Sequence, residues 1–314
     1  LNMKVLHLDE NHPKLYTGFK KLGISNYFDF ESEKNIVEKS ISRYDGIVLR
    51  SRIEIDKCLI DKASKLKFIV RVGSGLENID VDYAKKKEIK IISSPEGNSN
   101  AVGEHALGML LSLINYMYSS QKEIFDGFWH RESNRGFELK NKTVGIIGYG
   151  NTGKSFSKKL SGMDVKVMFN DLKLNLSDQY AQQVSLSTIQ EESDVISIHT
   201  SLNSKSTNLI NKNFINKCKK PFWLINTSRG QCVVLEDLIE GLKKGKILGA
   251  ALDVIEYEKK TFENLLSSKK IMANFLNLVD LKKIVITPHI AGWTHESKIK
   301  MVEVILKKVE KLLT

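Results

Sequence analysis

The chain has 314 residues, enough for two domains of ordinary size. Its 48 Lys and Arg against 37 Asp and Glu give a formal charge of +11, yet only seven of those cations are arginine. The lysines run along the whole length without a basic tail or stripe, which describes a solvated surface and argues against nucleic-acid or membrane partners. Apolar content of 41% with only four Pro excludes a disordered chain. The most apolar-leaning stretch, Ala106–Tyr118, falls short of the roughly 20 residues that a membrane span needs. Three separated Cys (58, 218, 232), without CxxC or zinc-spaced His, predict neither a disulfide framework nor a metal site. With an N-terminus that opens directly into MKVLHL, without a signal-peptide pattern, they fit a cytoplasmic protein.

Short apolar runs alternate with amphipathic stretches, the pattern of an α/β protein with mainly parallel sheets. The first third predicts strands at Lys4–Leu8, Gly46–Leu49, Phe68–Arg71 and Lys90–Ile92, separated by Lys- and Glu-rich helical segments. A long helix is expected over about Asn100–Ser120. Strands follow at Thr143–Ile147, Val165–Asn170, Val195–His199, Trp223–Asn226, Ala250–Asp253 and Val285–Thr287, and a last helix at Glu296–Leu313. Polar residues gather at the carboxyl ends of these strands: Arg50-Ser51-Arg52, Gly73-Ser74-Gly75 and Asn98 in the first part, then His199, Asn226 to Arg229, Asp253 and His289. Open α/β sheets bind ligands at that edge.

The strand TVGII runs into Gly148-Tyr149-Gly150-Asn151-Thr152-Gly153, a helix, and a second strand ending before Asp171, an acid 18 residues beyond the last glycine. This is a dinucleotide fingerprint in its full context. Gly148 permits the turn, Gly150 lets the backbone approach a pyrophosphate, and Gly153 lets helix and strand pack. The helix N-terminus, opened by Asn151 and Thr152, favours the anion. Asp171 accepts from the ribose hydroxyls and repels a 2′-phosphate, so the expected cofactor is NAD. About 140 residues precede this Rossmann unit, so another domain must come first.

Hydride transfer to or from a hydroxy acid needs a proton acceptor, a cation for the carboxylate and a group that keeps the base usable. His289 in Thr287-Pro288-His289, Arg229 in Asn226-Thr227-Ser228-Arg229 and Glu258 suit these roles. Taken singly each has a bland reading: a packed His, a surface Arg, a solvated Glu. The motifs GIIGYGNTG with Asp171, INTSRG, GAALDVIEYE and TPHIAGWT, in that order, resemble those of the D-2-hydroxyacid dehydrogenases, over nearly the whole chain and most of all those that act on 3-phospho-D-glycerate.

The resemblance implies Arg229, Glu258 and His289 as the catalytic trio, and Asp253 as the contact to the nicotinamide carboxamide. His199 and Thr227 are its further cofactor residues. It implies a Rossmann NAD-binding domain over 98–291 and a discontinuous flavodoxin-like substrate domain over 1–97 and 292–314. It also implies a homodimer through the NAD-binding domain, with Arg131 and Arg135 in a segment that reaches a neighbouring subunit in relatives. The sequence departs from the family at Lys259 (usually Pro), Ser201 (usually Pro), Trp293 (usually small) and the long 260–283 stretch. These departures leave Glu256 as the alternative to Glu258.

Arg50, Ser51 and Arg52 form the expected phosphate clamp, since arginine makes forked contacts to phosphate. Gly73, Ser74 and Gly75 are expected to offer amides to the substrate carboxylate, with Asn98 beside them. The reaction implied is NAD-dependent oxidation of 3-phospho-D-glycerate to 3-phosphohydroxypyruvate, the first step of serine biosynthesis. A chain ending in the helix to Leu313 is expected to lack serine feedback through a C-terminal regulatory domain. The alternatives are a reductase for glyoxylate, hydroxypyruvate or another 2-keto acid, which has no need of Arg50 and Arg52, and an NAD-sensing corepressor-like binding protein, which retains much of the same constellation.

Overall fold

The computed structural model describes residues 3–258, 275–279 and 283–313. Contacts divide them into two units: residues 3–99 with 293–313, and residues 100–258 with 275–279 and 283–292. The first unit holds a five-stranded, all-parallel sheet in the order β2-β1-β3-β4-β5. Its strands are β1 (Met3–His7), β2 (Ile24–Phe28), β3 (Gly46–Leu49), β4 (Phe68–Arg71) and β5 (Lys90–Ser93). Helices α1 (Pro13–Lys21), α2 (Lys34–Ser40), α3 (Lys57–Lys62) and α4 (Val81–Lys86) connect them.

After α5 (Pro95–Ile114) and α6 (Met117–Phe125), the second unit builds a seven-stranded parallel sheet in the order β12-β11-β10-β9-β6-β7-β8. Its strands are β6 (Thr143–Ile147), β7 (Lys166–Asn170), β8 (Gln182–Gln183), β9 (Val195–Ile198), β10 (Phe222–Asn226), β11 (Ile247–Leu252) and β12 (Ile284–Ile286). Its helices are α7 (Asn151–Leu160), α8 (Leu186–Glu192), α9 (Lys212–Lys217), α10 (Leu235–Lys243) and α11 (residues 275–279). The chain then returns to the first unit as α12 (His295–Leu313), where Met301, Val302, Ile305 and Val309 pack with Val5, Val48 and Val70.

Strand alternation explains why both sheets are covered on both faces. Ile196, Ile198, Leu224 and Leu252 enter one core of the second unit, while Val195, Trp223, Ile225 and Ala251 enter the other. Ile47, Leu49 and Ile69 face one core of the first unit, and Val48, Phe68 and Val70 face the opposite one. Continuously apolar strands are what a parallel sheet between helical layers requires. Parallel strands also bring all carboxyl ends to one edge, so the polar loops of each unit gather there.

Two strands and one helix differ from the sequence expectation. β2, with the sequence ISNYF, and the two-residue β8 are edge strands whose polar residues give no apolar run. The long helix begins at Pro95, five residues before its expected start, and ends at Ile114. It breaks where Tyr116 takes a left-handed φ of 51°, before α6. No described helix is long and apolar enough to cross a membrane.

Candidate active site

The fingerprint closes by backbone contact. Gly148 has φ 93°, and a Cβ there would lie 2.8 Å from the His199 carbonyl oxygen. A Cβ on Gly153 would lie 2.2 Å from the Gly148 carbonyl oxygen. Gly150, the N-cap of α7, faces open space instead. That is the cradle a phosphate needs at the helix N-terminus, with Asn151 and Thr152 as the first helical residues. Asp171 stands just past β7, and its carboxylate accepts from the amides of Tyr149 (2.7 Å) and Lys173 (2.9 Å). Tyr149 itself is buried, stacked on Phe169 at 3.7 Å, with its hydroxyl donating to Asp178 at 2.9 Å.

Two buried polar atoms beside this loop have no protein partner: Nδ1 of His199 and Oγ1 of Thr227. His199 Nε2 pairs with Ser197 Oγ at 2.8 Å, and burial pushes the imidazole down to about 3, so it is neutral at ordinary pH. Buried polar groups are normally satisfied. Orphaned atoms at the ends of β9 and β10, next to an open glycine cradle and an acid at the end of β7, fit a dinucleotide with polar groups along its length.

His289, the expected proton-handling group, is held in a left-handed conformation at φ 54°. Its Nδ1 is 2.6 Å from Glu258 Oε1. Glu256, two residues earlier, points elsewhere: its carboxylate accepts from the Leu235 amide (2.8 Å) at the start of α10. The His289 loop is held from beneath by Asp253, which is 1% exposed. Asp253 Oδ1 accepts from the Thr287 hydroxyl (2.6 Å) and the Ile290 amide (2.8 Å), Oδ2 from the Ala291 amide (2.8 Å), and its main-chain carbonyl from the His289 amide (2.8 Å). Asp253, expected as a nicotinamide contact, is here seen to organise this loop. Thr287 Oγ1 gives its proton to Asp253, so at His105 Nε2, 3.0 Å away, it accepts, and this fixes the histidine tautomer. Neither His105 nor Thr287 is among the expected site residues. The signal was faint, because the two residues are 182 positions apart.

Arg229 follows β10, and its guanidinium donates to the Ser228 carbonyl at 2.7 Å. Asn226, fully buried, shapes the turn by donating to the Arg229 carbonyl (2.9 Å) and accepting from the Ser228 amide (3.1 Å) and hydroxyl (3.0 Å). A Cβ on Gly230 would fall 1.7 Å from the Ile255 carbonyl oxygen. Backbone thus lies against backbone, and the Arg229 turn is locked to the segment that carries Glu258. Lys259 and most of the 260–283 stretch lie outside the described residues.

In the first unit the expected clamp of two arginines is not assembled. Arg52 donates from Nε to the Leu8 carbonyl (2.8 Å) and from its two terminal nitrogens to the carbonyls of Ser32 (2.5 Å) and Asp29 (2.7 Å). It ties β1 to the loop after β2. Arg50 makes no such bonds; its guanidinium carbon sits 4.3 Å from the Trp293 ring centroid. Ser51 lies between them, half-buried. The amide loop also needs correction, because the Gly73 amide already donates to Ser94 Oγ at 3.1 Å. The Ser74 hydroxyl donates to Asn98 at 2.8 Å. The amides of Ser74 and Gly75 have no hydrogen-bond acceptor among the described residues.

Residues 107–291 match the family profile described as "D-isomer specific 2-hydroxyacid dehydrogenase, NAD binding domain". The chain is 34% identical over 281 residues to a hydroxypyruvate reductase of Thermotoga maritima, covering 88% of this chain and 89% of that protein. It is 29% identical over 312 residues to a D-3-phosphoglycerate dehydrogenase of Archaeoglobus fulgidus, covering 98% of this chain but 56% of that longer protein. Among solved structures it is similar to a D-lactate dehydrogenase from Aquifex aeolicus complexed with NAD and lactic acid, with a TM-score of 0.83, 26% identity, and 98% and 95% of the two chains covered.

Proposed function

The chain belongs to the D-isomer specific 2-hydroxyacid dehydrogenase family and is an NAD-dependent oxidoreductase, and from that premise we propose that it acts on 3-phospho-D-glycerate. The 2.6 Å contact between His289 and Glu258 carries the chemical part of this reading. With Nδ1 turned to Glu258, the imidazole exchanges its proton with the substrate through Nε2. In oxidation His289 takes the C2 hydroxyl proton, and the Glu258 carboxylate stabilises the imidazolium that forms. Bound NAD supplies the acceptor for the hydride from C2. Arg229 grips the carboxylate and holds C2 in register. In the reverse direction the imidazolium returns the proton to the carbonyl oxygen.

The substrate class rests on Arg50, whose guanidinium N–H groups have no hydrogen-bond acceptor among the described residues, while its backbone amide donates to Asp9. A half-buried guanidinium that lies over a ring and has no hydrogen-bond acceptor suits the phosphoryl group of the substrate. Initial rates with NAD and a trap for the keto product test this directly. We expect 3-phospho-D-glycerate to be preferred over D-glycerate, and Arg50→Ala to abolish the preference. Equal use of both acids, unchanged by that substitution, overturns the assignment.

A second reading, reduction of hydroxypyruvate or glyoxylate, is favoured by Arg52: with its donors engaged by main-chain carbonyls, only one arginine of the tripeptide is left for a substrate. We further propose a homodimer through the second unit. Tyr118, Phe125, Phe128 and Trp129 are all exposed on and after α6, and sedimentation at micromolar concentration reads the mass.

A further inference from the structure

A cavity of about 370 Å³ lies in the first unit, against the strand ends and the first turns of α12, with Glu10, His12, Arg50, Val72, Lys298 and Met301 among its lining. Its two permanent cations come from distant parts of the chain, and one residue lies beneath both. The Trp293 ring has the Arg50 guanidinium carbon 4.3 Å from its centroid and Lys298 Nζ 5.4 Å from it. Trp293, itself exposed, immediately precedes the capped start of α12. There the Thr294 amide donates to Ser297 Oγ, and the Ser297 amide donates to Thr294 Oγ1, both at 3.0 Å. That reciprocal cap holds the entry of the helix.

Arg50 is anchored through its backbone, whose amide donates to Asp9 Oδ2 at 2.6 Å. Its guanidinium carbon otherwise lies over the Trp293 ring. Burial draws its pKa down and the Asp9 charge opposes this, as expected for a guanidinium short of solvent and of hydrogen-bond acceptors. A guanidinium stacked on an aromatic ring uses its flat face for the ring. Its N–H groups lie in the guanidinium's own plane, parallel to the ring, and stay available to a ligand in the fork that matches phosphate. Lys298 adds a point charge to the same cavity. A small residue at position 293, usual in the family that the sequence resembles, would support neither cation.

We propose that Trp293 is a specificity-determining residue: its ring holds Arg50 and Lys298 in place so that the Arg50 fork receives the distal phosphoryl group of the substrate. This rests on the reading of 3-phospho-D-glycerate as substrate. Ring and charge make a phosphoryl subsite from one free arginine, so the second arginine of the tripeptide is not required for it.

The test compares wild type, Trp293→Phe and Trp293→Ser, and reads the ratio of kcat/KM for 3-phospho-D-glycerate over D-glycerate. Loss of one cation–π platform is expected to lower that ratio about tenfold in Trp293→Ser, mainly through KM for the phosphorylated acid. Trp293→Phe, which retains a ring face, is expected to keep it within about threefold of wild type. Calorimetric titration of inorganic phosphate into the protein without substrate gives a second readout, with weaker binding expected in Trp293→Ser. Melting temperatures report whether the variants fold.

If Trp293→Ser keeps the wild-type ratio, or loses activity toward both acids in equal proportion, Trp293 does not set specificity. A ratio abolished by Arg50→Ala but untouched in Trp293→Ser overturns this inference alone and leaves the substrate reading standing. A wild type with no preference for the phosphorylated acid overturns both.

Discussion

Residues 287–291 and residues 50–52 each follow a strand of a parallel sheet, yet the two loops are held in opposite ways. In the second unit the polar groups around His289 are fixed by a buried carboxylate. Asp253 takes three donors on its side chain, and its carbonyl takes the His289 amide. In the first unit Arg50 is held by an aromatic face, and its hydrogen-bonding capacity is left over. The difference fits the tasks proposed for the two residues. A base that exchanges a proton must sit in one position, and directional bonds give that. A cation that receives a substituent must keep its donors available, and stacking positions it without using them.

The largest effect is expected at the first loop. His289→Asn should lower kcat by about three orders of magnitude, within the range seen on losing a general base. A fall of less than tenfold in the wild-type pH optimum would remove His289 from the proton path. Gly230→Ala comes next. Its methyl would meet the Ile255 carbonyl, and a strained backbone contact of this kind should cost about 3 kcal/mol or more, read by urea denaturation.

Breaking the support of the loop is a gentler test. His105→Leu and Thr287→Val should each lower kcat about tenfold, and their effects should not add, because both act on one chain of hydrogen bonds into Asp253. Additive losses would mean that the two residues act separately. His105→Gln, which retains a donor, should recover part of the loss.

Arg50 and Arg52 sharpen the comparison from the other side. Arg52→Met leaves three main-chain carbonyls without their donors and should destabilise the protein by about 2 kcal/mol while leaving substrate preference unaltered. Arg50→Met should do the reverse. If Arg52→Met altered the preference as much as Arg50→Met, the distinction between the two arginines would fail.

The smallest effect touches both units alike. Burial lowers His7 in the first unit to about 4 and His199 in the second to about 3, so each stays neutral when folded. An unfolded histidine takes up a proton as pH falls through 6.5, and the folded one does not. Stability is therefore complete above pH 6.5 and declines as pH falls toward 4, where His7 begins to protonate in the folded state as well. Melting temperatures at pH 7 and 4.5 should show a smaller acid-induced drop for His7→Leu than for wild type.

Much of the second unit was legible in the sequence. The glycine spacing, the acid after the second strand and the order of the strand-end motifs are local features, and each has a local physical cause. The edge strands β2 and β8 were not legible, because the pairing that makes them strands comes from neighbours and not from their own polar residues. The break at Tyr116 was missed because the apolar pattern continues past it. Glu258 and Glu256 differ by two positions along an irregular segment, and the sequence left both open. The structure separates them by partner, one on His289 and the other on the Leu235 amide.

By itself the sequence determined the α/β class, the dinucleotide fingerprint and the residue types that carry the chemistry, since periodicity and turn geometry are encoded within a few residues. Only the tertiary structure decided what those residue types do. Arg50 and Arg52 occupy one tripeptide and have the same side chain. One lies against a tryptophan brought from position 293, and the other against carbonyls at positions 8, 29 and 32. A side chain's task depends on which distant groups the fold places within reach of it, and nothing local to the tripeptide records that.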